Sequence, residues 1–406
     1  MELKEPIYEI EEWNVTERAF SMDTVYRNET TFALANGYLG TRGTFEEGYD
    51  FSVEEGLEGN FINGFYESEH IRYGEWNYGF PETSQSLLNL PNAKTVRLRM
   101  DGEQFDLRSG KCLSYLRSLH MKEGVLVRDV IWESPSGRQV RVRCERLVSM
   151  ERKNLMIQSY EAEPLNFDGS VELISILDGK VENHTRTTNP LVDYGPFGGH
   201  LLTDALETEE ESFFYQGTTK NSGLTMSCMA VHKVTLLGDG EERTGEISME
   251  HEVEREQDQA VIRCRLSHVC RGQTVRMVKF VAYTCCRDIA AGQQKAFLSN
   301  VLTDAAGLGY EKLKKEQEAF LDSFWNKADV EVEGDKALLQ GLRFNLFHIM
   351  QASGRDGKTG LGAKGISGEG YEGHYFWDTE MYVPVSYTHL DVYKRQSLER
   401  ENANIR

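Results

Sequence analysis

No run of about 18 consecutive apolar residues occurs anywhere in the chain, and the opening Met1-Glu2-Leu3-Lys4-Glu5-Pro6 lacks the apolar core of a secretion signal. A membrane span is therefore not expected, and a cytoplasmic location is. Basic charge is scarce: 45 Lys and Arg stand against 65 Asp and Glu, a formal net charge of -20. Such a surface repels phosphate backbones and anionic lipid, so neither nucleic acid nor a membrane is an expected partner. Cysteine is sparse and unpatterned. Of seven, only Cys285 and Cys286 are close in sequence, and no CxxC or Cys/His zinc spacing occurs, so reduced thiols are expected and a metal centre is not. Also missing are internal repeats, low-complexity tracts and any G-x-x-x-x-G-K-[ST] phosphate loop.

What is present fits a folded chain of more than one domain. Hydrophobic residues make up 39% and charged residues 27% of 406 positions, ordinary globular usage on a length beyond what a single core usually supports. From about residue 90 to 285 apolar residues alternate with polar ones: Val96, Leu98, Met100; Val140, Val142, Cys144; Val275, Met277 and, shifted by one, Val278 and Phe280. Period two indicates half-buried strands, and turn pairs such as Asp101-Gly102, Ser136-Gly137 and Asp178-Gly179 punctuate them at hairpin intervals. A large antiparallel β-sandwich is expected over 1–285.

After Cys286 the period lengthens. Ala290 to Leu302 and Tyr310 to Trp325 read as helices, the second placing Leu313, Phe320, Leu321 and Phe324 on one face. Asp335 can cap a third helix whose Leu339, Leu342, Leu346, Ile349 and Met350 share a face. A helical linker is expected over 286–334, and a second, all-α domain from 335.

Chemistry concentrates in Gly360 to Glu380, where six glycines, four aromatics and four carboxylates fall within 21 residues. Glycines let backbone approach a ligand, aromatic faces stack on sugar rings, and carboxylates accept hydrogen bonds from hydroxyls. The same composition also suits a mobile connection between helices. Gly368 to Gly373 satisfies G-x-G-x-x-G, but a helix rather than a strand is expected before it, so a dinucleotide site is not supported. Asp378 and Glu380, two positions apart, would point in different directions rather than flank one glycosidic bond. A second glycine-rich stretch, Asn36 to Gly48, holds Arg42 close to Glu46 and Glu47, a structural ion pair on its face. The tract Phe61, Phe65, Tyr66, Tyr73, Trp76, Tyr78 and Phe80 suits packing first and sugar stacking second.

Four motifs in this order carry a resemblance: Phe32-Ala33-Leu34-Ala35-Asn36-Gly37-Tyr38-Leu39-Gly40-Thr41-Arg42-Gly43; Asn63-Gly64-Phe65-Tyr66 through Tyr78-Gly79-Phe80-Pro81; Gly124 to Trp132; and His374-Tyr375-Phe376-Trp377-Asp378-Thr379-Glu380. Together, over about residues 5 to 385, they resemble glycoside hydrolase family 65, which includes the maltose, kojibiose, nigerose and trehalose phosphorylases. The resemblance implies an N-terminal β-sandwich, a helical linker and an (α/α)6 catalytic barrel. It also implies inverting phosphorolysis of an α-linked glucose disaccharide to β-glucose 1-phosphate, with no cofactor beyond inorganic phosphate as co-substrate, and dimers in intact relatives. Carried over by motif, Trp377 shapes the glucosyl pocket and Asp378 binds its hydroxyls. Hydrolysis within the same family and a non-catalytic carbohydrate-binding or dimerisation sandwich are the alternatives.

The match to the family pattern stops near Val385. Ser386-Tyr387-Thr388-His389-Leu390-Asp391-Val392-Tyr393-Lys394-Arg395-Gln396 resembles translated sequencing adapter, so 386–406 is expected to be an aberrant tail and 335–385 the start of the barrel. Twelve helices with their loops need roughly 200 residues, whereas 120 follow Cys286. The general-acid Glu that the resemblance implies falls beyond this point and has no counterpart here, so the chain is expected to be inactive and to expose apolar positions such as Leu342, Leu346 and Ile349.

Overall fold

The computed structural model describes residues 6–49, 55–73, 75–183, 192–193, 199–238, 241–243, 247–254 and 256–376. Two antiparallel sheets dominate. The larger runs, in spatial order, through Asn14–Glu17, Lys111–His120, Val125–Glu133, Gln139–Val148, Leu155–Pro164, Thr274–Cys285, Thr225–Gly238, Ser212–Thr219 and Leu201–Glu209, with Glu241–Arg243 paired to Thr225–Gly238 as a tenth strand. The smaller runs through Ile247–Glu254, Gln259–Val269, Gly169–Asp178, Val96–Met100 and Glu103–Gln104. Val96, Leu98, Leu173 and Ile262 of the smaller sheet share one apolar core with Val140, Val142, Tyr160 and Val281 of the larger, which makes the pair a β-sandwich. Alternation is clean where one face meets solvent: Val140, Val142 and Cys144 are buried while Arg141 and Arg143 between them are exposed.

The one-residue shift at Val278 has a different origin. Val275, Met277, Val281 and Tyr283 face the sandwich core, whereas Val278, Phe280 and Ala282 lie in a second cluster with Leu298, Leu302, Ala305 and Leu313. The central strand is thus covered on both faces, by the second sheet on one side and by helices on the other, and its sequence reads as nearly continuous apolar residues.

Those helices are α2 (Gln294–Leu308) and α3 (Tyr310–Ala328), which follow the short N-terminal α1 (Val25–Thr31) and precede α4 (Lys336–Ala352). The buried stripe of α3 is Leu313, Gln317, Leu321 and Trp325; Phe320 and Phe324 flank it, half-buried. Asp335 caps α4, its carboxylate accepting from the Leu338 amide at 2.9 Å. The face that α4 buries is Leu339, Arg343, Phe347 and Met350, while Leu342, Leu346 and Ile349 are half-buried rather than exposed. Arg343 decides the orientation: its guanidinium holds Asp329 through two 2.8 Å bonds and lies 3.7 Å over the Trp13 ring. Among the described residues no helix is long and apolar enough to cross a membrane.

Candidate functional site

The chain leaves α4 at Ser353 and enters the glycine-rich segment, which lies on the N-terminal domain rather than in solvent. Asp356 turns it sharply by accepting from the amides of Lys358 and Thr359, each at 2.9 Å. Arg355 reaches across to the carbonyls of Asn36 and Met150, at 2.7 and 3.0 Å. Asn63 joins the two glycine-rich stretches directly, its amide donating to the carbonyls of Gly37 (3.1 Å) and Gly360 (2.9 Å). Farther on, Arg42 Nη1 donates to the Ser367 carbonyl at 3.2 Å, and Tyr66 Oη to the Gly373 carbonyl at 2.9 Å. His374 Nε2 sits 2.6 Å from the Gln85 carbonyl, an acceptor, so this nitrogen carries the proton.

Two glycines make the contact possible. A Cβ on Gly40 would stand 1.9 Å from the Ile366 carbonyl oxygen, and one on Gly37, whose φ is +84°, 2.1 Å from that of Ser353. Both numbers are far inside van der Waals contact, so the two backbones touch only because these side chains are absent.

The far end of the segment is turned by three successive left-handed residues, Tyr371 (φ +53°), Glu372 (+57°) and Gly373 (+74°). Two of them carry side chains, a conformation that costs free energy and persists only where the surroundings impose it. The result places Tyr371, Tyr375 and Phe376 at the surface, with Tyr371 and Phe376 edge-on at 5.5 Å and Lys364 5.6 Å over the Tyr371 ring. Trp377 and Asp378, the residues assigned to the glucosyl unit from sequence, follow immediately and lie outside the described residues, as does Glu380. Gly368 to Gly373 follows loop and not strand.

Beneath this contact lies a buried charge network, and here the sequence expectation needs correcting. Arg42 does not pair with Glu46 or Glu47; its guanidinium is 3.5 Å from Glu29, and it also donates to the carbonyls of Leu57 and Tyr26. Glu47 takes both guanidinium nitrogens of Arg128, at 2.6 and 2.8 Å, and Glu46 pairs with Arg128 and Arg146. The reason is the strand period: residues 125–133 and 139–148 aim Arg128 and Arg146 inward, towards the loop bearing the two glutamates. Burial alone would raise the Glu46 carboxyl, but Arg146 and Arg128 hold it down at about 2. For Glu29 burial wins over the Leu57 amide and Arg42, and the carboxyl rises to about 7. Lys94, fully enclosed, is pushed down to about 8 by burial despite Glu58 beside it.

The aromatic tract divides. Phe61 and Phe65 are buried and Tyr66 serves as an anchor, while Trp76, Tyr78 and Phe80 are exposed. Asn63 and Tyr66 stand within sequence motifs that do not mark them as anchors. Gln351 and Arg355 carry no signal in the sequence, since a polar residue near a helix end reads as solvated. No group of three or more His, Cys, Asp or Glu placed to hold a metal occurs among the described residues.

Residues 15–324 match the model of the glycosyl hydrolase family 65 N-terminal domain, and residues 343–401 that of the family's central catalytic domain. The chain belongs to glycosyl hydrolase family 65. The catalytic-domain match includes positions 386–396, where the sequence led us to expect foreign residues. Among family members, α,α-trehalose phosphorylase of Thermoanaerobacter brockii is 40% identical over 380 residues, 94% of this chain and 48% of that protein. Maltose phosphorylase of Bacillus subtilis is 30% identical over 392 residues, 95% of this chain and 48% of the relative. A solved structure described as a putative kojibiose phosphorylase from human microbiome superposes with a TM-score of 0.78 at 23% identity, covering 93% of this chain and 47% of its own, which establishes the shared fold. The chain spans about half the length of the curated relatives it matches.

Proposed function

We propose that this chain is part of an inverting glycoside phosphorylase acting on an α-linked glucose disaccharide of the trehalose, maltose, kojibiose or nigerose type. Inorganic phosphate is the co-substrate, β-glucose 1-phosphate and a free sugar are the products, and the cytoplasm is the location. The observation that carries this reading is the similarity to proteins named as trehalose and maltose phosphorylases, which runs through more than nine-tenths of the chain. The chemistry is economical. Phosphate is already an anionic nucleophile, so no base has to activate water, and a single carboxylic acid to protonate the leaving oxygen suffices. On this reading Trp377 shapes the glucosyl pocket and Asp378 grips its hydroxyls, while the Asn36–Gly48 and Gly360–Gly373 contact fixes where the pocket begins.

On this reading the general acid belongs to the part of the relatives that these 406 residues do not span, and the chain assayed by itself should bind sugar without turning it over. A chimera tests the assignment: residues 1–376 joined to the remaining part of the Thermoanaerobacter brockii trehalose phosphorylase, supplied with trehalose and phosphate. Release of β-glucose 1-phosphate with loss of phosphate is expected. Free glucose at constant phosphate would replace phosphorolysis by hydrolysis, and no product from a folded chimera would overturn the assignment.

A further inference from the structure

Arg42 joins a buried acid to the first stretch of the catalytic domain. Its Nε donates to the Leu57 carbonyl at 2.7 Å and its Nη1 to the Ser367 carbonyl at 3.2 Å. Its Nη2 donates to the Tyr26 carbonyl at 3.3 Å and lies 3.5 Å from the Glu29 carboxylate. Leu57, Tyr26 and Glu29 belong to the N-terminal domain, whereas Ser367 belongs to the part that matches the catalytic domain. The segment also packs closely here, since a Cβ on Gly368 would stand 3.7 Å from Nη1. A shift of the guanidinium therefore acts on a bond between the two domains.

Glu29 is placed to cause such a shift. Its side chain is 1% exposed and that of Arg42 5%, so the pair is shut off from solvent. The Glu29 carboxylate accepts from the Leu57 amide at 2.6 Å, but its 3.5 Å separation from the guanidinium exceeds the roughly 2.7–2.9 Å of a tight charge-assisted bond. The other charges that face it are Glu58 beside Leu57, Arg117 on the strand Lys111–His120, and Lys94 ahead of the strand Val96–Met100. The segment adds Glu369, buried two residues past Ser367. Glu58 is bound by Lys94, and Arg117 is stacked between the rings of Phe32 and Phe45, at 4.9 and 4.7 Å. Arg42 is thus the cation that answers a change of charge on Glu29. A neutral acid leaves the guanidinium to its carbonyls. A carboxylate draws Nη2 inward and demands water, and the Ser367 bond gives way first, because the Leu57 and Tyr26 acceptors stay with the N-terminal domain.

We propose that Glu29 and Arg42 form a pH-sensitive latch: with the acid neutral, Arg42 holds the 353–376 segment on the N-terminal domain, and ionisation of Glu29 releases it. The latch sets how firmly the start of the catalytic domain is seated, whichever sugar the protein takes. Its sign follows from linkage. Released, Glu29 meets water and ionises near 4.5; seated, burial keeps it protonated up to about 7. Between those values seating weakens as the pH rises, by up to about tenfold per pH unit, and above 7 it is level.

Hydrogen exchange of the full 406-residue chain tests this, read by mass spectrometry on peptides from 353–376 between pH 4.5 and 7.5 and corrected for the intrinsic amide rate. Peptides from the sandwich strand 139–148 are the reference, and the range stops short of about 8, where the Lys94 ammonium loses its proton. Opening of the segment in the natural chain should rise about tenfold or more from pH 5 to 7, with no matching rise in the reference. Glu29→Gln keeps an acceptor for the Leu57 amide and should hold the segment at its acid level throughout. His374→Gln replaces the titratable anchor on the Gln85 carbonyl and should leave the rise intact. A flat profile in the natural chain overturns the latch, whether or not either variant folds. A rise that persists in Glu29→Gln overturns it too, and loss of the rise in His374→Gln would place the switch at the Gln85 carbonyl instead. A parallel rise in the reference peptides would make the opening global unfolding, which also removes the latch.

Discussion

Gln351 completes the backbone of Ala33–Ala35 as a neighbouring strand would: its Oε1 accepts from the Ala35 amide at 2.9 Å, and its Nε2 donates to the Ala33 carbonyl at 3.0 Å. One residue near the end of α4 thus satisfies two buried main-chain groups more than 300 positions earlier. Replacing it by leucine leaves both unpaired, and a buried unsatisfied group costs about 1–3 kcal/mol. Gln351→Leu should therefore lower stability in urea by roughly 2–6 kcal/mol. It should also expose the 353–376 segment to limited proteolysis before the sandwich is cut. Equal protection in the two proteins would show that α4 docks by its apolar face alone.

The close approach of Gly40 to Ile366 gives a sharper handle on the site. Gly40→Ala places a methyl group where the Ile366 carbonyl oxygen now stands, 1.9 Å away, so one of the two backbones must move. The sandwich core does not depend on that contact, and the strand signal in circular dichroism should persist. Disaccharide affinity should fall about tenfold or more, as expected where positioning by remote contacts sets the pocket. Gly292→Ala is the control: a Cβ there meets nothing within 4 Å, and no loss is expected. Equal binding by Gly40→Ala and the natural chain would separate the segment from the sugar pocket.

The sandwich could be read from sequence wherever a strand has one wet face, because burial then writes itself as alternation. Val140, Val142 and Cys144 are of this kind. Val278 and Phe280 could be placed in a strand but not on a face, since a second covering layer from α2 removes the polar half of the pattern. The edge strand Asn14–Glu17 is four residues long and was not foreseen; it exists because Lys111–His120 offers a free edge to pair with. The site was legible as composition only. A glycine reports that something comes close, but not what, and nothing in Asn36–Gly48 names Ile366 or Ser353 as its neighbour. Arg42 illustrates the same limit: its nearest carboxylates in sequence are not those nearest in space.

The pairing of Glu46 and Glu47 with Arg128 and Arg146 should be the least forgiving feature of the N-terminal domain. Removing one member of a buried ion network strands its partner's charge, at about 3–5 kcal/mol. Arg128→Met should incur that loss, since the bidentate contact to Glu47 disappears. Chemical denaturation measures it. A double variant, Arg128→Met with Glu47→Gln, should recover part of it; failure to recover would mean that packing rather than charge carries the site.

Acid should destabilise the sandwich through His232, which lies between the sheets with Nδ1 2.7 Å from the Glu211 carbonyl and Nε2 2.8 Å from Ser175 Oγ. The carbonyl can only accept, so Nδ1 bears the proton of a neutral ring. Burial, reinforced by the enclosed Lys279 ammonium in the neighbouring strand, drives the ring down to about 3. Between that value and the ordinary histidine value the unfolded chain takes up a proton that the folded chain refuses. Stability therefore falls as the pH drops from 6.5 towards 3, by up to about 5 kcal/mol. Glu29 works in the opposite sense: with its carboxyl raised to about 7, its contribution is complete below 4.5 and is lost as the pH climbs through 7. Melting curves of His232→Gln should thus converge on those of the natural chain near pH 7 after allowance for the lost hydrogen bonds, and fall less steeply below 6. Those of Glu29→Gln should diverge upward as the pH rises from 4.5 to 7 and run parallel to those of the natural chain above it. Parallel pH profiles for the natural chain and His232→Gln would mean that the folded sandwich takes up the proton as readily as the unfolded chain, and would overturn the neutral buried ring.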